Sequence, residues 1–274
     1  MEKLTITTSK RDKILNILSS YGFSYSYASK LLRNKDVRID DIKIKDNIMV
    51  DNGSTITVFY NKEFLNEKEI EIIYQDENVV IVNKATNIEV VGNEGLEKKL
   101  NALAVHRLDR NTTGLTILAK NKASQEILLD AFKNHNVAKK YLAEVVGKTN
   151  YKNYLMKAYL VKDAKQSFVK IYEKEEKGSV EIKTIFNTIK SNPTSSIIDC
   201  TLITGKTHQI RASLSYLGHP IIGDGKYGKN EDNKKFKQKT QRLHCYYLKF
   251  ENLKEPLRYL NNKEFISKPS WQNY

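Results

Sequence analysis

The sequence predicts an α+β fold with a mixed, mainly antiparallel central sheet. Three observations carry the prediction. Apolar residues alternate with period two along much of the chain, the pattern of half-buried strands. A few segments break in with helical spacing. Turn residues split several strand runs in two, and hairpins of that kind pair antiparallel.

Taken in order, residues 11–33 read as two short helices. Ile14, Leu15, Ile17 and Leu18 form one apolar face and Ala28, Leu31 and Leu32 a second, with Gly22 as the stop between them. The run "VRIDDIKIKDNIMVDNGSTITVFY" then reads as short strands joined at Asp40-Asp41 and Asp51-Asn52-Gly53. Residues 61–69, "NKEFLNEKE", read as a charged linker. "IEIIYQDENVVIVNKA" gives two strands around Asp76-Glu77-Asn78. Residues 122–136 suit an amphipathic helix with Ala123, Ile127, Leu128, Ala131 and Phe132 on one face. "KKYLAEVVGK" is strand-like, and residues 181–204 form a hairpin about Asn192-Pro193. Residues 207–217 read as a helix stopped by Gly218, and the Lys-rich stretch 229–242 as an exposed loop. The chain therefore divides into a small unit over 1–60, the linker, and a large unit over 70–274.

The 274 residues carry 46 Lys and Arg against 32 Asp and Glu, a net charge of +14. An excess of that size points to a polyanionic partner, and nucleic acid is the first candidate. The two cysteines, Cys200 and Cys245, have neither CxxC nor CxxH spacing. That argues against a disulfide framework or a thiolate zinc site and fits a reducing cytoplasm. No apolar run approaches the ~18 residues of a membrane span, and the N-terminal residues lack the apolar core of a secretory signal.

Two stretches concentrate chemistry. In "AVHRLDRNTTGLTILAK", Asp109 stands between Arg107 and Arg110, and Val105 and Leu108 mark the loop as packed. After Gly114 the run Leu115–Ala119 reads as a buried strand. A carboxylate on a packed loop needs a cationic partner to stay ionised. Ionised and oriented, it is a nucleophile or a general base. The second stretch is "TGKTHQIRASLSYLGHPIIGDGKYG", residues 204–228. Here Lys206 precedes a helix start, and Arg211 lies near that helix's N-terminal end, where open N–H groups favour anions. His208 and His219 read as hydrogen-bonding residues. A metal set from His106, His208, His219 and Asp109 matches no metal-binding spacing, so no metal is expected.

In this order, the two stretches resemble the RluA/RluD family of pseudouridine synthases. The family's His-Arg-Leu-Asp-x-x-Thr-Ser-Gly motif stands here as "HRLDRNTTG", with Thr113 for Ser. Gly-Arg-Thr-His-Gln-Ile-Arg stands as "GKTHQIR", with Lys206 for Arg, and "LGHPIIGD" is unaltered. Lys-x-Tyr-x-Ala stands as "KKYLAEVVG", supplying Tyr141, and Leu-His-Ala as Leu243-His244-Cys245. In "NKATN", Ala85 and Asn87 replace the family's Pro and Gly, which leaves that loop's geometry open. The helix-helix-strand order of residues 1–60 resembles the alpha-L RNA-binding domain, with Lys30, Arg33, Lys35 and Arg38 as its basic patch.

The resemblance implies isomerisation of uridine to pseudouridine in RNA, without a cofactor. Large-subunit ribosomal RNA is the first candidate substrate and transfer RNA the second; an assembly factor without catalysis is the alternative of another class. Asp109 matches the family's catalytic aspartate and Arg211 the arginine that pairs with it. Tyr141 matches an active-site tyrosine that stacks on the base and whose hydroxyl is a candidate base for the C5 proton. Arg107 matches an arginine that fills the space left by the extruded nucleotide, whose unstacking costs a few kcal/mol. His106 and Lys206 join Arg107 and the four N-terminal basic residues as the expected RNA-facing set. The chain is expected to be monomeric.

Overall fold

The structure, a computed structural model, describes residues 2–23, 25–61, 70–92, 95–163 and 168–271, the side chain of Ser26 excepted. The chain forms two compact units, Met1–Glu69 and Ile70–Tyr274. Of the linker expected at 61–69, all but Asn61 lies outside the described residues.

In the first unit, β1 (Glu2–Thr7), β6 (Thr55–Tyr60), β3 (Val37–Ile39) and β4 (Ile42–Ile44) form one sheet in that order, all antiparallel. The two-residue strands β2 (Asp12–Lys13) and β5 (Met49–Val50) pair separately. The helices α1 (Ile14–Ser20) and α2 (Tyr25–Arg33) bury all seven apolar residues assigned to their faces. These close a core with Phe23, Val37, Ile56 and Val58. The β3–β4 turn holds Asp40 and Asp41 at φ 46° and 65°, a conformation Asp tolerates better than most residues. Lys30, Arg33 and Lys35 are exposed at the end of α2 and in the turn after it. Arg38, on β3, lays its guanidinium 5.2 Å from the ring centre of Phe59.

The second unit is built on an 11-stranded sheet. Its strands are β7 (Glu71–Gln75), β8 (Val79–Lys84), β9 (Leu103–Ala104), β10 (Thr113–Ala119), β11 (Val137–Val146), β12 (Tyr154–Asp163), β13 (Phe168–Tyr172), β14 (Val180–Ser191), β15 (Ser195–Leu202), β16 (Leu243–Phe250) and β17 (Glu264–Ile266). The spatial order is β13-β12-β14-β15-β11-β16-β10-β8-β7, with β17 beside β16 and β9 beside β10. Every described pairing is antiparallel except β10 with β16. Among the described residues, four α-helices accompany it: α3 (Leu96–Leu100), α4 (Lys122–Lys133), α5 (Gln209–Tyr216) and α6 (Asn230–Lys235). None of the described helices is long and apolar enough to cross a membrane.

α4 starts where Asn121 accepts a hydrogen bond from the Ser124 N–H at 2.9 Å, a side-chain cap for an otherwise open donor. Its buried face is Ser124, Leu128 and Ala131. The expected Ala123 is exposed; with the cap at Asn121, the inward stripe begins one residue later. The stretch 229–242 is not a loop throughout, because it contains α6. Its lysines 234, 235, 237 and 239 point to solvent, as expected. Asn233 turns inward, accepting from Gly223 N at 2.7 Å and donating to the Asp224 carbonyl at 3.1 Å.

The centre of the sheet sets the position of everything that follows. Tyr141 on β11 lies opposite Cys245 on β16, and Cys245 lies opposite Gly114 on β10. These three residues make one row across adjacent strands. Gly114 has φ +110°, and a Cβ there would lie 2.3 Å from the Cys245 carbonyl oxygen. Backbone, not a flexible side chain, blocks that space. Gly114→Ala is therefore expected to lower stability by at least about 3 kcal/mol, combining a forbidden φ with a clash, read by urea unfolding. A loss under about 1 kcal/mol would mean that the β10–β16 contact yields easily.

Candidate active site

Asp109 lies in the turn that feeds β10. The Thr112 N–H closes the turn by donating to the Asp109 carbonyl at 3.0 Å. The turn is then tied down from several sides. Gln241 Nε2 donates to Thr112 Oγ1 at 2.6 Å. Thr113 Oγ1 lies 2.8 Å from His244 Nδ1, and His244 Nε2 lies 2.9 Å from Ser267 Oγ. Thr113, where the family has Ser, supplies the hydroxyl of this contact. Lys84, 1% exposed, donates from Nζ to the carbonyls of Ala85, Ile88 and Arg110 at 3.1, 2.8 and 3.1 Å. Burial pulls its pKa down to about 7, partly opposed by Asp109 and Glu89. Lys84 thus pins the turn next to Asp109 to the end of β8. In the same loop, Asn87 takes φ 64° where the family has Gly; Asn is among the few side chains that accept this conformation.

The partner that the sequence demanded for Asp109 is Arg211. Its Nη1 donates to Asp109 Oδ2 at 2.7 Å. Arg211 is itself held by a second carboxylate. Nε and Nη2 donate to Asp224 Oδ2 and Oδ1 at 2.7 and 2.9 Å, a planar two-point pairing. Asp224 is fully buried and also accepts from the N–H groups of Lys226 and Tyr227 at 2.9 and 3.0 Å. Burial alone would raise the Asp224 pKa; the hydrogen bonds and charge of Arg211 outweigh it and bring the pKa below its ordinary value. Burial likewise works against the charged form of Arg211, and the two carboxylates more than offset it. The guanidinium also lies 5.2 Å from the ring centre of Tyr227. A carboxylate–guanidinium–carboxylate chain results, rigid at its buried end and open at Asp109.

The loop before α5 is anchored by Gln209, which is 2% exposed. Its Oε1 accepts from Thr204 Oγ1 and Lys206 N, and its Nε2 donates to Lys183 O and Thr184 Oγ1. His208, at φ 54°, places Nε2 3.7 Å from Asp109 Oδ2 and Nδ1 2.9 Å from the Tyr227 hydroxyl. That hydroxyl already accepts from Val169 N. A hydroxyl oxygen can accept twice, so either Nδ1 or the hydroxyl is the donor in the His208–Tyr227 contact. Burial lowers the His208 pKa, with Asp109 opposing.

Tyr141 is buried. Burial pushes its pKa well above the ordinary phenol value, and the neighbouring Cys245 thiol and the charge of Asp109 act the same way. Burial pushes the Cys245 thiol up to about 12. Both groups hold their protons at neutral pH.

The structure brings Asp109, Arg211 and Tyr141 together and leaves Arg107 exposed on the Asp109 turn. Lys206 is exposed beside α5. His106 departs from expectation. Its Nε2 accepts from Ile117 N at 3.1 Å, and its ring stacks on Phe132 with centroids 4.5 Å apart. An imidazolium has no lone pair with which to accept, and burial lowers the pKa to about 3. His106 is a neutral strut of the fold, not an RNA-facing cation. Lys30, Arg33, Lys35 and Arg38 belong to the other unit. Sequence reasoning missed Asp224 and Lys84. Each had a signal: a carboxylate and an ammonium closing apolar runs, "PIIGD" and "VVIVNK", where a buried charge must find partners. Among the described residues, no cluster of three or more His, Cys, Asp or Glu is placed to hold a metal.

Comparison with known proteins gives a consistent picture. The profile of the RNA pseudouridylate synthases matches residues 78–216. An uncharacterized RNA pseudouridine synthase of Mycoplasma capricolum is 30% identical, with 88% of each chain covered. The ribosomal large subunit pseudouridine synthase C of Haemophilus ducreyi is 33% identical over 82% of this chain and 73% of its own length. The mitochondrial tRNA pseudouridine(32) synthase of Saccharomyces cerevisiae is 31% identical over 75% of this chain and 47% of its own length. Among solved structures, human RNA Pseudouridylate Synthase Domain Containing 1 superimposes with a TM-score of 0.63 at 23% identity, covering 74% of this chain and 84% of its own.

Proposed function

This chain belongs to the family of RNA pseudouridine synthases, and from that premise we propose that it isomerises uridines of large-subunit ribosomal RNA, with Asp109 as the reacting carboxylate. The observation that carries the assignment of Asp109 is the 2.7 Å contact with Arg211, itself locked by buried Asp224. Oδ2 is engaged by Arg211, whereas among the described residues Oδ1 accepts no hydrogen bond and is the oxygen available to substrate.

The reaction breaks the N1–C1′ bond, turns the base, joins C5 to C1′ and releases the C5 proton. It is neutral in electrons and needs no co-reactant. Asp109 serves whether it attacks C1′, adds to C6 or removes the 2′ proton, since each step uses its negative charge. A protonated, buried Tyr141 fits the stacking role best. Its hydroxyl takes the C5 proton only if it passes its own onward, which weakens its assignment as the base.

The ribosomal target is supported by the large-subunit relative named above; the yeast relative favours transfer RNA as the second reading. Incubating the protein separately with ribosomal and transfer RNA that lack pseudouridine, then digesting to nucleosides, tests the choice. Pseudouridine in the large-subunit fraction is expected. Pseudouridine in transfer RNA alone would replace the ribosomal reading with the second one.

The first unit is assigned to gripping RNA phosphates through exposed Lys30, Arg33 and Lys35. Each phosphate contact adds about 0.7–0.9 to the slope of log affinity against log salt. Changing these three residues to Gln is expected to lower the slope by up to about 2.7 and to leave the fold intact. An unchanged slope, read by fluorescence anisotropy, would remove the first unit from the RNA interface.

A further inference from the structure

Lys139 stands two residues before Tyr141 on β11 and has no role in the site as described so far. Its Nζ lies 5.0 Å from the ring centre of Phe132. It and the Cys245 thiol, which lies opposite Tyr141 across the β11–β16 ladder, influence each other's ionisation. The side chain is half-buried. Among the described residues it makes no hydrogen bond and no ion pair. Lys84, which is fully buried, has three carbonyls; half-buried Lys139 has none. A desolvated ammonium without an acceptor is costly, and contact with an aromatic face offsets only part of that cost.

The backbone beside it is shaped to let the ammonium come close. A Cβ at Gly205 would lie 3.2 Å from Lys139 Nζ. Gly205 belongs to the loop that Gln209 anchors, and the next residue, exposed Lys206, adds a second positive charge at the rim. A cation with nothing to neutralise it thus faces a bare stretch of backbone, next to the residues that handle the base. The substrate of this family is a polyanion.

We propose that the Lys139 ammonium, brought up against the loop at Gly205, binds a backbone phosphate of the RNA at the target nucleotide. The inference rests on the synthase reading above. Phosphate completes the missing counter-ion, and it fixes the ribose while the base is free to turn. Lys139 is a binding residue on this account and takes no part in bond making.

The test uses Lys139→Gln and Lys139→Arg in the full chain, with an oligonucleotide spanning the modified uridine. In a second series, one phosphate at a time is replaced by uncharged methylphosphonate. Lys139→Gln is expected to fold with unchanged or higher thermal stability, because no partner is left unpaired. It should lose about 10- to 100-fold in kcat/KM, the size of a hydrogen bond to a charged group, and its salt slope should fall by about 0.7. Lys139→Arg should keep the slope. One methylphosphonate linkage should cost the wild type as much as the substitution does, and cost Lys139→Gln nothing further. Unchanged salt slope, with every linkage costing both proteins equally, would overturn the proposal. A clear drop in thermal stability with an unchanged slope would instead make Lys139 a packing residue on Phe132. Failure of the synthase reading is distinct: the wild type itself would then make no pseudouridine, and the proposal would fall with its premise.

Discussion

Asp109→Asn is expected to fold, to bind RNA and to make no pseudouridine. The amide has the shape of the carboxylate, and its oxygen can still accept from Arg211 Nη1. Arg211 keeps both of its hydrogen bonds to Asp224, so no buried charge is stranded. The stability loss should therefore stay near the ~1–2 kcal/mol of a charge-assisted hydrogen bond weakened to a neutral one. The chemistry has no such reserve. An amide is neither a nucleophile nor a base at neutral pH, and the rate should fall at least about 10³-fold, within the range seen when a positioned acid–base or nucleophilic group is lost. Initial rates beside a thermal melt decide it. Product at a tenth of the wild-type rate would remove Asp109 from the reaction.

Asp224→Asn is expected to do the reverse, damaging the fold first and activity through it. It leaves the buried Arg211 guanidinium with Asp109 as its sole carboxylate, and that one is partly exposed. Removing one member of a buried pair typically costs about 3–5 kcal/mol, which urea unfolding at pH 7 would show. The pH dependence follows from the sign of the shift. The folded-state pKa of Asp224 lies below its ordinary 3.8. Its stabilisation is thus complete above that value and is lost as pH falls through the folded pKa. The gap between wild type and Asp224→Asn should be full at neutral pH and narrow below about pH 4. Adding Arg211→Met should recover part of the loss, because the stranded charge goes with it. A pH-independent gap, or a double variant as unstable as the sum of its parts, would mean that Asp224 acts by shape alone.

The sequence made some of this legible for local reasons. The hairpins at Asp40-Asp41, Asp76-Glu77-Asn78 and Asn192-Pro193 stand where turn chemistry placed them. The helix over 207–217 appears as α5, with Gly218 at φ +84° behind it. Asp109 stands out because a packed carboxylate requires a cation; that the cation is Arg211, far away in sequence, is what the family resemblance implies. What stayed hidden depended on strand order. That Tyr141, Cys245 and Gly114 share one row follows from β16 inserting between β11 and β10, a choice no local pattern records. The β10–β16 pairing is parallel, against the trend of the sheet. Other misses were compositional. Glu2–Thr7 forms β1 from a stretch too short and polar to announce itself, and α6 is hidden in a run of lysines without apolar periodicity. His106 carries the residue type of an RNA-facing cation, and only Phe132 and the Ile117 N–H reveal its structural use.

The most direct measurement is release of tritium from RNA labelled at uridine C5, with wild type and Asp109→Asn assayed side by side on ribosomal and transfer RNA. Only an exchange of the N1–C1′ bond for C5–C1′ couples loss of the C5 hydrogen to formation of pseudouridine. The account predicts release by the wild type and none by Asp109→Asn at equal RNA binding. Release by both proteins, or by neither while RNA stays bound, would contradict it.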